Sequence, residues 1–405
     1  MRKSRRVIII TESYPPILNS AGRLFSELAE YLCQKDFDVV VLTEKPSRYT
    51  ADNSSQKEKR KTSTSNPRVI RLPGFPRLRS VLVFRYIEQL LKMIMYFFVG
   101  LFYSVRRDVI IYSPPLPLAV AGILISKLYR RRSIANVQDL YPETAIALGV
   151  MKNSFLIAIS RMMERWIYRH ADSITVHSNG NKDYVIGHGA PRDKVHVVYN
   201  WVDLEKYSPG PLNDGFRATY KIGDKFIVSY AGVIGLAQGV ESLLNAAQDF
   251  RGNSKVHFVL AGGGLGYRAI REQAEKEGLD NMLFLPHLAE HEYVKLLRSS
   301  NICLVTLVKE LKTPVVPGKL QSIMAVGRPV ICSIPSVSDA KTMIKEANCG
   351  LWVDPSDKTG LSKAINELLQ NDSREEIGRH GREYAKRFFE KKACTQTYLD
   401  LLLKQ

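Results

Sequence analysis

Short, nearly unbroken apolar runs alternate along this chain with longer segments in which apolar residues recur every three or four positions. The runs at 6–10, 38–43, 68–71, 109–112, 133–137, 173–177 and 195–198 read as strands. Helical periods fill residues 22–34, 81–104, 116–129, 154–170 and 181–188. Strands that are apolar throughout suit a parallel sheet with helices on both faces. A stretch at 200–213, with Pro209, Gly210 and Pro211, breaks the pattern and reads as a linker. The alternation then resumes, with strands at 226–231, 256–261, 282–285, 302–306, 329–332 and 350–353. Helical periods at 240–250, 267–277, 289–298, 337–347 and 360–370 separate them. The expectation is an α/β chain of two Rossmann-like domains, with a ligand in the interdomain cleft at the carboxyl ends of the strands. The boundaries expected are 1–203 for the first domain, 204–385 for the second, and a C-terminal helix at 386–405 that packs back on the first. Residues 45–66, rich in Ser, Lys and Thr, read as a mobile insertion.

A length of 405 residues agrees with two cores rather than one. Five cysteines lie scattered without a CxxC pair, which suits neither a zinc site nor a disulfide framework and points to a reducing, cytoplasmic setting. Arg2, Lys3, Arg5 and Arg6 precede an apolar run too short for a secretory signal. The longest nearly unbroken apolar run, 93–103, is shorter than the roughly 20 residues that cross a bilayer. Charge changes the picture more. The net charge is +18, and residues 1–200 hold 31 Lys and Arg against 16 acidic residues, while 201–405 hold 27 against 24. The excess surrounds the apolar helical segment at 80–104, in which Phe97 and Phe98 are flanked or punctuated by Arg85, Lys92, Arg106 and Arg107. An apolar helix bearing cations suits an anionic membrane surface, and it also suits a core helix. Nucleic acid is disfavoured, because no recognisable nucleic-acid-binding motif accompanies the charge.

Several loops can carry chemistry. Residues 317–330 read as a loop broken by Pro317 and Gly318, a short helix ended by Gly327, and a buried strand. Gly318 and Lys319 at the helix N-terminus make a ready phosphate site. Residues 14–23 open the first helix, with Gly22 allowing a ligand near its N-terminus or serving an ordinary turn. Residues 230–241 include Gly235, Gln238 and Gly239, whose loop can turn N–H groups toward a diphosphate. Gly263, within the run 261–266, either admits a nucleotide base or makes a tight turn. Asp139 ends a buried strand and either orients an acceptor hydroxyl or caps the following segment. Glu143, after Pro142, reads as a helix start. No G-x-G-x-x-G, Walker A or G-x-S-x-G pattern is present; His287 and His291, four apart, do not form an H-E-x-x-H arrangement and read as loop and helix-start residues rather than metal ligands. No metal and no cofactor are expected.

These stretches, in their order and spacing from about Val7 to Tyr398, resemble bacterial glycosyltransferases of family 4. The resemblance is carried by Ser113-Pro114-Pro115, Asp139-Leu140-Tyr141-Pro142-Glu143, His170-Ala171-Asp172, Tyr199-Asn200-Trp201-Val202-Asp203, residues 231–239, and Pro317-Gly318-Lys319-Leu320. The branch it is most similar to is the fucosaminyltransferase-like and colanic acid fucosyltransferase-like group. The resemblance implies the GT-B fold and transfer of a UDP- or GDP-linked deoxy or N-acetylated sugar. It implies retention, metal independence, and an undecaprenyl-diphosphate-linked acceptor in O-antigen or related polysaccharide synthesis. The protein would then sit at the inner face of the cell membrane. By this likeness Lys319 contacts the diphosphate and serves catalysis, with backbone groups near Gly235 and Gly318. Asp139 faces the acceptor, and Gly22 closes the site from the first domain. The chain departs from the family at Pro314 and Ser322, where two glutamates are usual, and at Val233 and Gln238, where Arg and Lys are common. A nucleotide-sugar epimerase on the same fold and an inactive membrane scaffold are the alternatives.

Overall fold

The computed structural model describes residues 5–17, 19–46, 66–74, 82–212 and 215–404, with side chains from Tyr86 onward in the segment that begins at 82. The insertion expected at 45–66 falls almost wholly outside these residues, as does the side chain of Arg85.

Two compact units emerge: residues 1–142, 151–199 and 394–405 form the first, and 143–150 with 200–393 the second. The first is a seven-stranded parallel sheet in the order β3-β2-β1-β4-β5-β6-β7. Its strands are β1 (Arg6–Ile10), β2 (Asp38–Glu44), β3 (Arg68–Leu72), β4 (Asp108–Ser113), β5 (Ser133–Val137), β6 (Ser173–Val176) and β7 (Val195–Val197). Val7 pairs with Val39 and Ile8 with Val109, so the central strand is apolar on both faces, as its unbroken run requires. Around the sheet lie α1 (Ser20–Gln34), α2 (Leu82–Tyr103), α3 (Leu116–Leu128), α5 (Ser154–His170) and α6 (Asn179–Gly187); a short helix α4 (Glu143–Ala147), which begins at Glu143, is counted with the second unit. The final helix α15 (Lys391–Leu403) belongs to the first unit from Cys394 onward. Its Tyr398 hydroxyl meets Asn136 on β5 at 2.7 Å and Thr175 on β6 at 3.0 Å, inside the core.

The second unit is a six-stranded parallel sheet ordered β10-β9-β8-β11-β12-β13. Its strands are β8 (Phe226–Val233), β9 (Val256–Gly263), β10 (Met282–Leu285), β11 (Ile302–Thr306), β12 (Val330–Ser333) and β13 (Gly350–Val353). The helices are α7 (Phe216–Thr219), α8 (Glu241–Asp249), α9 (Tyr267–Glu277), α10 (Glu290–Ser299), α11 (Lys319–Val326), α12 (Asp339–Ala347), α13 (Gly360–Gln370) and α14 (Arg374–Phe388). Strand order reverses between β8 and β11, and between β1 and β4 in the first unit. In an open parallel sheet this reversal opens a crevice at the carboxyl ends of the strands. The short helix α7 escaped the sequence pattern, since four residues show no helical period, whereas α4 starts at Glu143, where the sequence marked a helix start.

Helix α2 corrects two expectations. It is 22 residues long, and its window Tyr86–Tyr103 is long and apolar enough to cross a membrane by length and composition. The eleven-residue run missed this because Glu88 and Lys92 interrupt it. Lys92 is not surface cation but buried: its Nζ lies 3.2 Å from Glu12, 2.9 Å from Glu44 and 3.1 Å from Glu88. Burial alone disfavours its ammonium, but Glu12 and Glu44 outweigh that and raise its pKa. Phe97 is half-buried and packs against the core. Arg107 is spent on Asp38, donating to its carboxylate at 2.7 Å and its carbonyl at 2.6 Å. Phe98 and Arg106 are exposed.

Candidate functional site

The loop after β8 and the N-terminus of α11 meet at the reversal point of the second sheet. Tyr230 is buried in β8, and its hydroxyl donates to the Val233 carbonyl at 2.8 Å, which pins the start of the loop. Lys319, the first residue of α11, lays its Nζ 3.6 Å above the Tyr230 ring. A Cβ on Gly232 would stand 3.1 Å from that Nζ, so the lack of a side chain there makes room for the lysine. The Lys319 Nζ is sealed from solvent and has no hydrogen-bond partner. Burial pushes its pKa down to about 7, with Cys332 on β12 opposing weakly. An unpaired ammonium in low dielectric is costly, and neutralising it is the usual escape. Gly318 is the exposed N-cap of α11, and no side chain caps the helix there. An uncapped helix start beside a partnerless lysine is a place for an anion.

The rest of the loop is held by its own groups. The Gly235 N–H donates to the Gln238 side-chain oxygen at 3.1 Å, so neither group is open to a ligand in this state. Thr306, ending β11, donates its hydroxyl to the Gln238 carbonyl. The Val308 N–H donates to the Ala237 carbonyl at 3.0 Å, and Gly239 packs on the Leu307 backbone. The next glycine run locks onto this loop: Ile234 donates to the Gly263 carbonyl at 2.9 Å, and Gly266 donates to the Ile234 carbonyl at 3.0 Å. The expectation placed on Gly263 moves to its neighbours. A Cβ on Gly263 would meet nothing within 4 Å, whereas one on Gly262 would lie 1.9 Å from the Gly232 carbonyl oxygen, and one on Gly264 2.4 Å from that of Ile234. Both neighbours have φ near +150° and +137°. These glycines let the paired ends of β8 and β9, and the loops that follow them, approach closely, which one sequence does not announce.

Sequence reasoning also missed the stacking of Lys319 on Tyr230 and two buried polar residues in the segment around the helix start. Thr313 and Gln321 are buried, and the Thr313 hydroxyl and both amide atoms of Gln321 lack hydrogen-bond partners. Gln321 was discoverable as the one amide in an otherwise apolar helical turn. At the two positions of the usual glutamates, Pro314 offers no charge, and the Ser322 hydroxyl accepts from Tyr293 at 3.4 Å.

In the first unit, Asp139 follows β5 and its carboxylate is exposed with no hydrogen bond, so it does not cap the next segment. Surrounding protein nonetheless desolvates it and raises its pKa above the ordinary carboxylate value. Its charge is felt by the partly buried Tyr112 of β4, as is that of Glu12 after β1, so three titratable groups cluster at the carboxyl edge of this sheet. Gly22 does not keep an open N–H. That group donates to the Asn19 side chain at 2.8 Å, and a Cβ at 22 would fall 2.2 Å from the Ile17 carbonyl oxygen. The glycine serves a close approach within its own loop. Among the described residues, no group of three or more His, Cys, Asp or Glu is placed to hold a metal ion.

Comparison with known proteins places this geometry. Residues 21–206 match the family described as Glycosyltransferase Family 4, and residues 214–384 match Glycosyl transferases group 1. The chain is 23% identical to the putative colanic acid biosynthesis glycosyl transferase WcaI of Escherichia coli K12, over 98% of this chain and 99% of the relative. It is 26% identical to the probable glycosyltransferase WbjE of Pseudomonas aeruginosa, over 58% and 59% of the two chains. Its fold is similar to that of Anabaena HepE, solved in complex with UDP and glucose, with a TM-score of 0.73, 17% identity, and 98% and 99% of the chains covered. WaaG, a glycosyltransferase involved in lipopolysaccharide biosynthesis, superposes with a TM-score of 0.71 at 14% identity, over 98% and 100%. Two parallel α/β units, a glycine-rich loop facing an uncapped helix, and matches running through both halves make this chain a bacterial glycosyltransferase of family 4, with the GT-B fold.

Proposed function

We propose that this glycosyltransferase moves a deoxy or N-acetylated hexose, with retention and without a metal ion, from a UDP- or GDP-linked donor to an undecaprenyl-diphosphate-linked saccharide in O-antigen or related surface-polysaccharide synthesis. It works in the cytoplasm at the inner face of the membrane. The observation that carries the donor half is Lys319, a sealed and partnerless amine at an uncapped helix N-terminus. A diphosphate supplies what both groups lack. As the glycosidic bond to the donor breaks, negative charge grows on the leaving diphosphate. A protonated Lys319 and the N–H groups following Gly318 stabilise that charge more than the ground state. Thr313 and Gln321 offer unspent hydrogen-bonding groups in the segment from which the usual glutamates are missing. Gln238 and Gly235 hold each other until the ligand arrives. Asp139, free of other hydrogen bonds and raised in pKa, orients and partly deprotonates the acceptor hydroxyl. The structure of HepE with UDP and glucose supports the choice of a nucleotide sugar.

A second reading has its own observation. With Pro314 and Ser322 in place of carboxylates, the chain can bind a donor and act as an inactive scaffold. Thermal-shift screening of UDP- and GDP-sugars, followed by a transfer assay with membrane lipid extract, separates the two. A stabilising ligand with transfer is expected. Stabilisation without transfer supports the scaffold, and no stabilisation by any nucleotide sugar removes the donor site.

A further inference from the structure

Helix α2 is the edge of a wider apolar surface. Its residues Lys92, Tyr96 and Gly100, spaced four apart, are the only buried members of the window Tyr86–Tyr103. Lys92 is held by three carboxylates, and the Tyr96 hydroxyl donates to the Thr11 carbonyl at 3.3 Å. A Cβ on Gly100 would clash with Ile125 of α3, so the two helices touch at that point. The opposite stripe, Ile87, Leu91, Ile94, Phe98 and Phe102, follows the helical period and faces solvent, with Phe102 82% exposed. Helix α3 packs beside α2, with the Tyr129 hydroxyl just beyond its end donating to the Leu101 carbonyl at 2.8 Å, and α5 packs beside α3. Both also carry exposed apolar side chains: Leu124 and Leu128 on α3, the latter 62% exposed, and Phe155 and Met162 on α5, the former 70%. Monomeric proteins rarely leave so many large apolar side chains together on one surface.

The exposed charges on the three helices are cationic, and the neighbouring carboxylate of Asp172, just beyond α5, is paired with Lys127 of α3 at 2.6 Å. Helix α3 contains no acidic residue, Glu88 of α2 is drawn inward to Lys92, and Glu164 of α5 is fully buried. Arg165 and Arg169 follow Met162 on the same helical face, three and seven residues on, and both are exposed, as are Arg106 and Arg130. Apolar side chains among cations, with no exposed carboxylate on the three helices, complement an anionic lipid surface.

We propose that α2, α3 and α5 form one lipid-docking face, on which α2 lies in the plane of an anionic bilayer rather than across it. This rests on the membrane association proposed above and names the surface that makes it. To span the bilayer, α2 would have to abandon the Lys92 ion cluster and strip Tyr96 and Gly100 from the core, leaving buried charges unpaired. The docking residues also differ from those that sequence singled out. Phe98, Phe102 and Arg106 remain, Lys92, Phe97 and Arg107 drop out, and Leu128, Phe155 and Met162 enter.

The test uses the full chain and sedimentation with vesicles of phosphatidylcholine, alone or mixed with phosphatidylglycerol. Wild type is expected to bind only the mixed vesicles and to exchange onto a second vesicle population. The pairs Phe98→Ser with Phe102→Ser, Leu124→Ser with Leu128→Ser, and Phe155→Ser with Met162→Ser should each weaken binding about tenfold or more, since each removes two exposed apolar side chains that docking transfers out of water. Leu265→Ser, which changes a 92% exposed leucine of the second unit, should leave binding unchanged. Circular dichroism checks that each variant is folded. Wild-type binding unaffected by the α3 and α5 pairs overturns the three-helix face while leaving membrane association intact. No binding by wild type overturns membrane association itself. Failure to exchange between vesicles overturns the in-plane arrangement, and a lipid-free dimer abolished by the same pairs assigns the face to a second copy of the chain.

Discussion

Lys319→Met should make the empty protein more stable and its donor site useless. The lysine lies sealed over Tyr230, without a partner, and burial brings its pKa from the ordinary 10.5 to about 7. At 1.36 kcal/mol per tenfold, that displacement corresponds to a penalty of about 5 kcal/mol on the charged form. The sign follows from proton counts. Below pH 7 both folded and unfolded chains hold the proton, and the folded state carries the full penalty. Between pH 7 and 10.5 the unfolded chain binds the proton and the folded one does not, so stability rises with pH. Above 10.5 the penalty is gone. Methionine keeps the length and the contact with the ring while removing the charge. Calorimetric unfolding at pH 7 should therefore show a rise in Tm on the order of 10 °C, at roughly 2–4 °C per kcal/mol for a domain of this size. The gap between variant and wild type should close as pH approaches 10. Binding runs the other way. An anionic diphosphate favours protonated Lys319, so wild type must take up a proton on binding above pH 7. Its affinity for UDP or GDP should fall up to about tenfold per pH unit between 7 and 9, and titration calorimetry in buffers of different ionisation enthalpy should register the proton. A destabilised Lys319→Met at pH 7, or a nucleotide affinity independent of pH with no proton taken up, would refute the account.

Other outcomes follow from the same geometry. Gly262→Ala should destabilise the second unit by about 1–3 kcal/mol in urea unfolding, because its Cβ meets the Gly232 carbonyl and its φ is positive, whereas Gly263→Ala should change little. Equal effects would mean that the two loops do not touch as described. Glu44 is raised to about 7, by burial first and by Glu12 second, so the folded state binds its proton between 4.5 and 7 and stability falls as pH rises through that window. Glu44→Gln should flatten that fall and raise Tm at pH 8; a lower Tm there would show that pairing with Lys92 outweighs burial. Asp139→Asn should cut the transfer rate about 10²–10⁴-fold with no loss of stability, since the carboxylate makes no hydrogen bond. Unchanged turnover removes Asp139 from the chemistry.

Much of the donor site was legible because its parts are local. A loop, a glycine and a lysine at a helix start are neighbours in the chain, and Pro317, Gly318 and Gly327 mark the ends of α11. The role of Gly235 and Gln238 was only half legible, since the spacing shows a turn but not that the side chain folds back onto its own loop. Charge was the least transferable reading. Lys92 and Arg107 look like surface cations beside an apolar helix, yet their partners Glu12, Glu44 and Asp38 lie 48 to 80 residues away. No periodicity within one helix discloses a partner on another strand.

The order of strands and helices came from the sequence by itself, because unbroken apolar runs and helical periods record local burial. So did the family, whose signatures are short segments in a set order along the chain. Tertiary structure alone decided which polar groups are spent and which are free. It left Lys319 without a partner while giving Lys92 three, and it turned the exposed side of α2 outward beside α3 and α5. The reason is physical. Whether a lysine is a ligand group, a structural ion pair or a surface charge depends on the dielectric and partners within a few ångströms, and those are assembled from distant parts of the chain.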